Sequence, residues 1–220
     1  RRIRERVPSA YLTGVTWFAG HEIRVTPDVL VPRSAIAELC RRGFEPWARA
    51  GRVRRVLDIG TGSGCIAIAA AHALPRAQVD ATDVSPGALA LARANVRRHR
   101  LGRRVHVRRA DVYAGLPARR YDIVVSNPPY VPVAEMRRLP REHRAEPRLG
   151  LVAAAGGLAV IARILAGARA RLAPDGILIV ECGNTAARVR RRWPGLPFTW
   201  LEFERGDGGV FLLHASELPE

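Results

Sequence analysis

The chain has 220 residues, of which 48% are hydrophobic and 25% charged. That balance supports one sizeable core and excludes a disordered chain, a collagen-like repeat and a disulfide-stapled miniprotein. The formal net charge is +16, and all 36 basic residues are arginine. Such a surplus arises from arginine-favouring codon usage on a solvated surface, or it marks a positive face that meets RNA or a ribonucleoprotein; charge alone does not choose. No apolar run reaches the roughly 18 residues of a membrane span, so no membrane partner is expected. The opening Arg1-Arg2-Ile3-Arg4-Glu5-Arg6 has no apolar segment of the kind found in secretion signals. Met136 is the single methionine, which predicts a trimmed piece of a longer chain. Cys40, Cys65 and Cys182 are odd in number and widely spaced, a pattern suited to a reducing cytoplasm and not to a zinc knuckle.

Residues 1–35 mix aromatic residues, Thr and Pro, with alternation in His21–Val25 after the bend Ala19-Gly20, which predicts a β-hairpin leading into the loop Val31-Pro32-Arg33. Ser34 is placed to cap a helix running through Ile36, Leu39 and Cys40 to Gly43. From Val56 onward short apolar runs alternate with amphipathic stretches, the pattern of a mostly parallel α/β sheet. Strands are expected at Val56–Asp58, Gln78–Asp83, Val105–Arg108, Tyr121–Ser126 and Ile177–Glu181. Helices are expected at Cys65–Leu74, from Pro86 after the cap Ser85, and at Leu158–Leu172, with Pro174-Asp175-Gly176 as a turn. Phe198–Phe203 and Val210–His214 read as two strands joined by a turn over Gly206-Asp207-Gly208-Gly209. The fold class is therefore a Rossmann-like, seven-stranded, doubly wound sheet preceded by a hairpin.

Asp58-Ile59-Gly60-Thr61-Gly62-Ser63-Gly64 lies between a predicted strand and a predicted helix. Glycines there let backbone approach a ligand at a helix amino end. Cys65 stands where a dinucleotide loop needs its third small residue, which disfavours NAD. Asp83 ends the next strand nineteen residues after Gly64, where a carboxylate accepts from both ribose hydroxyls. A nucleoside with a short methionine tail, S-adenosylmethionine, fits this pair better than a dinucleotide, and Asp111 is placed to meet an adenine amino group.

The strongest chemical signal is Asn127-Pro128-Pro129-Tyr130, at the carboxyl end of the fourth predicted strand. Two prolines stiffen the backbone and remove N–H donors, leaving carbonyls and the Asn127 side-chain oxygen as acceptors. Such acceptors suit a planar NH2 conjugated to a carbonyl or ring. An amide nitrogen is a poor nucleophile because its lone pair is delocalised, and two acceptors gripping its hydrogens orient it toward an arriving methyl. Tyr130 offers a flat face to the amide plane and a cation–π contact to developing charge. Glutamine, adenine and guanine all carry such an amine, so the loop alone does not identify the acceptor.

These two segments resemble the protein-(glutamine-N(5)) methyltransferases, the HemK-like family. The finer likeness is to the branch that modifies large-subunit ribosomal protein three. It lies in Ala10–Thr13, Trp17–Glu22, Val29–Ser34, Glu146-Pro147 with Leu149–Leu151, Phe198–Phe203 and Gly208–Phe211. The release-factor branch carries an acidic continuation after its Pro-Arg pair, where Ser34-Ala35-Ile36 stands here. The resemblance implies S-adenosylmethionine as methyl donor and S-adenosylhomocysteine as product. By matching position it implies cofactor contacts from Asp58, Gly60, Thr61, Gly62, Ser63, Gly64, Asp83, Asp111 and Asn127. It implies that Asn127, Pro128, Pro129 and Tyr130 hold the glutamine, with Asn127, Pro128 and Tyr130 catalytic. Residues 1–50 are then a hairpin and connecting helix left from a helical docking domain, and residues 51–220 the methyltransferase domain. Ala35 stands in place of a second proline, and Gly156 in place of an aspartate that caps the following helix.

The six histidines, His21, His72, His99, His106, His143 and His214, show no i, i+4 pairing with acidic neighbours, so no metal site is expected. Trp17, Phe18 and Trp200 read as core aromatics more readily than as a substrate wall. Arg137, Arg138, Arg141 and Arg144 face either rRNA or solvent. The expectation is a cytoplasmic methyltransferase acting on a glutamine of a ribosomal protein. Its rivals are a release-factor glutamine methyltransferase, a nucleic-acid adenine methyltransferase, which needs a further domain to extrude its base, and a non-enzymatic RNA- or ribosome-binding module.

Overall fold

A computed structural model describes residues 2, 4, 6–204 and 208–219. After a short helix α1 (Ser9–Thr13), strands β1 (Val15–Phe18) and β2 (His21–Arg24) pair antiparallel. Ala19 and Gly20 both have positive φ, 50° and 87°, the twist that a two-residue hairpin turn requires. Helix α2 (Ile36–Arg41) follows, and the Ile36 N–H donates to Ser34 Oγ at 3.1 Å, so Ser34 closes its first turn as expected.

The main sheet contains β3 (Arg55–Ile59), β4 (Gln78–Asp83), β5 (Val105–Arg109), β6 (Tyr121–Ser126), β9 (Leu172–Glu181), β10 (Thr199–Leu201) and β11 (Val210–His214); β7 (Val131–Pro132) and β8 (Val152–Ala153) form a small parallel pair of their own. The strand order is β10-β11-β9-β6-β3-β4-β5; β11 pairs antiparallel with both β10 and β9, and the other pairings are parallel. Helices α3 (Cys65–Ala73), α4 (Pro86–Arg98), α5 (Ala159–Arg171) and α6 (Ala186–Arg192) cover it.

Alternation along each strand explains the continuous apolar runs. Val56, Ile123, Val125, Ile177 and Ile179 join one buried cluster, while Leu57, Val124, Leu178 and Val180 join a second on the opposite face. The first cluster also takes Phe18 and Ile23 of the hairpin, Ile36 and Leu39 of α2, and the apolar residues of α3. The hairpin therefore shares a core with the sheet.

Two expectations need correction, and a third lies partly outside the described residues. Pro174-Asp175-Gly176 lies inside β9, where Tyr121 pairs with Leu172 and Ile123 with Ile177; Pro174 and Asp175 bulge into solvent while the ladder resumes beyond them. Trp17 is not core, being 67% exposed, whereas Phe18 is buried and Trp200 packs on Phe198 and Phe211. The turn assigned to Gly206-Asp207-Gly208-Gly209 begins outside the described residues. Among the described residues, no helix is long and apolar enough to cross a membrane.

Candidate active site

Strands β4 and β6 lie on either side of β3, so the chain reverses its direction of winding between β3 and β6. Ligands of doubly wound sheets bind beyond the carboxyl ends at such a point. The register fixes what meets there. Ile59 pairs with Ser126, so Gly60 and Asn127 leave adjacent strands at one level. Asp83 pairs with Arg109, which brings Ala110 and Asp111 beside it. The Ser126 hydroxyl donates to the Ile59 carbonyl at 2.8 Å and locks the first pair together.

The glycine loop is held by two carboxylates. Asp58 is fully buried; its Oδ2 accepts from the Thr61 hydroxyl and from the Ala67 N–H at 3.1 Å, while Oδ1 has no partner among the described residues. Burial is the main cause that pushes the Asp58 carboxyl up to about 7, against the lowering effect of those two hydrogen bonds. Asp83 accepts from the Gly62 N–H and from the Ser85 N–H, each at 2.9 Å. Gly60 and Gly62 have φ of 70° and 55°, and a Cβ built on either would meet open space. Backbone conformation, not crowding, demands glycine at both positions.

A cleft of about 440 Å3 lies over these ends, within the size range of small-molecule and cofactor pockets. Its wall includes Gly60–Ser63, Asp83, Asp111, Asn127 and Pro129. Val84, Ala110, Val112 and Val160 add apolar surface, and Pro32–Ser34 close the other side. Asp111 is ion-paired with Arg163 at 2.9 Å, and that hydrogen bond holds its carboxyl below the usual range. Asp58 and Gly64 are not on this wall: Asp58 braces the loop from beneath, and Gly64 packs with its would-be Cβ 3.4 Å from Ala92 of α4.

Of the Asn-Pro-Pro-Tyr segment, Asn127 and Pro129 line the cleft, Pro128 is buried and Tyr130 is half-buried behind the loop. The Asn127 amide makes no hydrogen bond among the described residues. Tyr130 lies close over Gly183, where a Cβ would sit 2.7 Å from the ring. Burial, then the neighbouring Glu181, pushes its phenol up to about 12. Burial also raises Glu181, which accepts a short hydrogen bond from the Ser34 hydroxyl.

Several contacts that shape the site join positions that no local sequence pattern pairs. Glu146 is buried and accepts from the Val31 N–H at 3.0 Å and from Arg33 at 2.7 Å, clamping the loop that closes the cleft. Asn95 of α4 binds the Arg24 N–H and C=O, each at 3.0 Å, and donates to the Ser63 carbonyl at 2.8 Å, tying hairpin to glycine loop. Gly157 has φ 92°, and a Cβ there would lie 2.1 Å from the Tyr130 carbonyl. Only glycine lets that turn pass the segment. Helix α5 has no side-chain cap, but its N-cap is Leu158, two residues beyond Gly156, so the expectation that Gly156 stands at the capping position is not met. Spacing gave no reason to expect a histidine cluster, yet the fold brings His21, His72 and His99 together from three elements. Arg137, Arg138, Arg141 and Arg144 are all exposed.

Comparison with known proteins agrees with this architecture. The methyltransferase small domain family matches residues 47–139. A methyltransferase from Pyrococcus furiosus superimposes with a TM-score of 0.62 over 87% of each chain, at 21% identity, which speaks for the fold. The chain is 46% identical to the ribosomal protein uL3 glutamine methyltransferase of Burkholderia pseudomallei, spanning 100% of this chain and 74% of that one. It is 49% identical to the protein of the same name from Xylella fastidiosa (strain 9a5c), over 99% and 70% respectively. At that identity and coverage, the chain belongs to the ribosomal protein uL3 glutamine methyltransferase family.

Proposed function

We propose that the chain transfers the methyl group of S-adenosylmethionine to the side-chain amide nitrogen of a glutamine in ribosomal protein uL3. The observation that carries this reading is the pairing of Ile59 with Ser126, which sets the glycine loop and Asn127 side by side on one cleft. The residues present suit the donor. Asp83 retains lone pairs for ribose hydroxyls beyond its two backbone hydrogen bonds, and Val84, Ala110 and Val112 suit a planar base. The open space over Gly60 and Gly62 leaves room for a ligand to lie against backbone. When bound, S-adenosylmethionine supplies an electrophilic methyl group on a sulfonium.

The chain's own work is positioning. The Asn127 oxygen and the carbonyl of Pro128 accept the two amide hydrogens of the glutamine, turning its nitrogen toward the cofactor side of the cleft. As the new carbon–nitrogen bond forms, positive charge grows on that nitrogen, and these fixed acceptors stabilise it. Asp83 and the glycine loop would hold S-adenosylmethionine, which would supply the methyl group with its sulfur as the leaving group, and the amide nitrogen would give up one proton to solvent. Tyr130, buried against Gly183 and beside Glu181, stiffens the loop from behind; any face it offers the amide must come from its exposed edge.

A protein acceptor is favoured over a base because an extended segment can thread a glutamine past Pro32–Ser34, whereas a paired base must first be extruded. The test is to incubate the chain with tritiated S-adenosylmethionine and, separately, unassembled uL3, a release factor, rRNA and duplex DNA. Protease-sensitive label on a uL3 glutamine is the expected result. Label on the release factor alone would move the substrate, and nuclease-sensitive label with none on protein would overturn the reading.

A further inference from the structure

His21 opens β2 directly after the hairpin turn, His72 lies in the last turn of α3, and His99 caps the carboxyl end of α4. One ring nitrogen from each lies within 4.8 Å of the other two. We propose that these three histidines form a binding site for a divalent transition-metal ion of the zinc type, which fastens the hairpin to the ends of α3 and α4.

The geometry fits on three counts. His72 Nε2 and His99 Nδ1 are 3.4 Å apart, the separation of two ligands on a tetrahedral ion with zinc–nitrogen bonds of about 2.0–2.1 Å. His99 Nε2 lies 2.9 Å from the Glu22 carbonyl, which can only accept, so that nitrogen carries the proton and Nδ1 presents its lone pair toward His72. This is the backbone-carbonyl support that orients ligating imidazoles and fixes their tautomer. His21 stacks on His72 with ring centroids 4.3 Å apart and a nitrogen within 4.8 Å of the other two ligand atoms, so binding as the third ligand requires its ring to turn out of that stack. Both α3 and α4 direct their carboxyl ends, the negative ends of their dipoles, at the cluster.

The surrounding charges are accounted for. Arg104 opposes a cation, but its guanidinium is tied to the carbonyls of Ala71 at 2.7 Å and Leu74 at 3.3 Å. Arg98 is paired with Glu22 at 2.6 Å. With three protein ligands, the fourth position falls to water. Because β2 leads into Pro27–Ser34 on the cleft wall, an ion here stiffens the approach to the cleft from outside it.

The full chain, stripped with chelator and desalted, is titrated with cobalt(II) and then zinc(II). One cobalt per chain is expected, with the intense visible absorption of a four-coordinate nitrogen site, displaced by zinc, and zinc should raise the melting temperature. His72 is exposed, so His72→Ala should fold normally and bind zinc at least about tenfold more weakly, as even outer-shell losses cost about 10–100-fold. If that variant is poorly folded, His72→Gln serves in its place. His106→Ala, at a histidine paired instead with Gln78, should bind as the parent does. Absence of saturable binding, or equal affinity in the His72 and His106 variants, would overturn the proposal.

Discussion

Replacing Asp83 with alanine tests the cofactor half of the site. Its carboxylate accepts from Gly62 and Ser85, each at 2.9 Å, on the wall of the cleft. In the proposed complex it also accepts from ribose hydroxyls, and hydrogen bonds to a charged acceptor contribute about 1.5–3 kcal/mol. Affinity for S-adenosylmethionine should fall on the order of ten- to a hundredfold. The two backbone bonds act in the free protein as well, so some of the cost should appear as a lower melting temperature without ligand. Asp83→Asn separates the contributions, since its amide oxygen still accepts one backbone hydrogen while the charge is gone. Calorimetric titration of both variants, with unfolding measured alongside, is the assay. Unchanged affinity in Asp83→Ala, with the fold intact, would refute the assignment.

Asn127→Ala should keep cofactor affinity within a few-fold and lose roughly 100- to 1000-fold in turnover, as when one positioned transition-state partner is removed; single-turnover methylation of uL3 checks it. Gly157→Ala combines φ 92° with a Cβ 2.1 Å from the Tyr130 carbonyl. Backbone strain of about 1–3 kcal/mol should lower stability in denaturant melts, and the displaced segment should lower turnover more than cofactor binding. Asp58 sets a pH dependence. Its folded pKa of about 7 lies above the unfolded value, so both states are protonated at low pH and the unfolded state ionises first as pH rises. Stability should therefore fall between about pH 4 and pH 7, by roughly 4 kcal/mol, then level off. Asp58→Asn stays neutral and should lack that fall, which equilibrium unfolding at pH 5 and pH 8 measures directly.

The fold was legible because its strands are buried on both faces. Runs such as Ile177–Val180 and Tyr121–Ser126 have no other use, and Ser85-Pro86 announces α4 with a cap that the structure bears out, the Ala88 N–H donating to Ser85 Oγ at 3.3 Å. Local turn chemistry misled at Pro174-Asp175-Gly176 because those residues do leave the ladder, but the partner strand continues past them. At the site, the glycine loop and Asn127 were legible because each follows a strand, and parallel pairing brings strand ends to one edge. The clamp of Glu146 on Val31 and Arg33 was not, since its partners are more than a hundred residues apart. Both segments carry the family resemblance, yet nothing in either names the other. The histidine cluster escaped for the same reason. A search at helical spacing sees one element, and these rings come from three.

The arginine surplus takes a different meaning once partners are known. Asp80 is buried beneath Arg108 at 2.8 Å and Arg119 at 3.5 Å, and also accepts from the Tyr121 hydroxyl at 2.9 Å. Arg120 donates to the Leu172 carbonyl at 2.7 Å, where α5 gives way to β9, and Arg171 to that of Pro117 in the loop before β6 at 2.8 Å. Arg190 stacks 4.2 Å from the centre of the Trp200 ring. A guanidinium suits these tasks because it forks onto oxygens and lies flat on rings, neither of which an ammonium does. Part of the +16 charge is therefore structural wiring. Exposed arginines remain on several faces, among them Arg52, Arg76, Arg97 and Arg103, as well as Arg137, Arg138, Arg141 and Arg144 beyond the cleft. In the proposed reaction, choosing the methylated atom falls instead to positioned acceptors, and Asn127 sits on the cleft wall to serve as one.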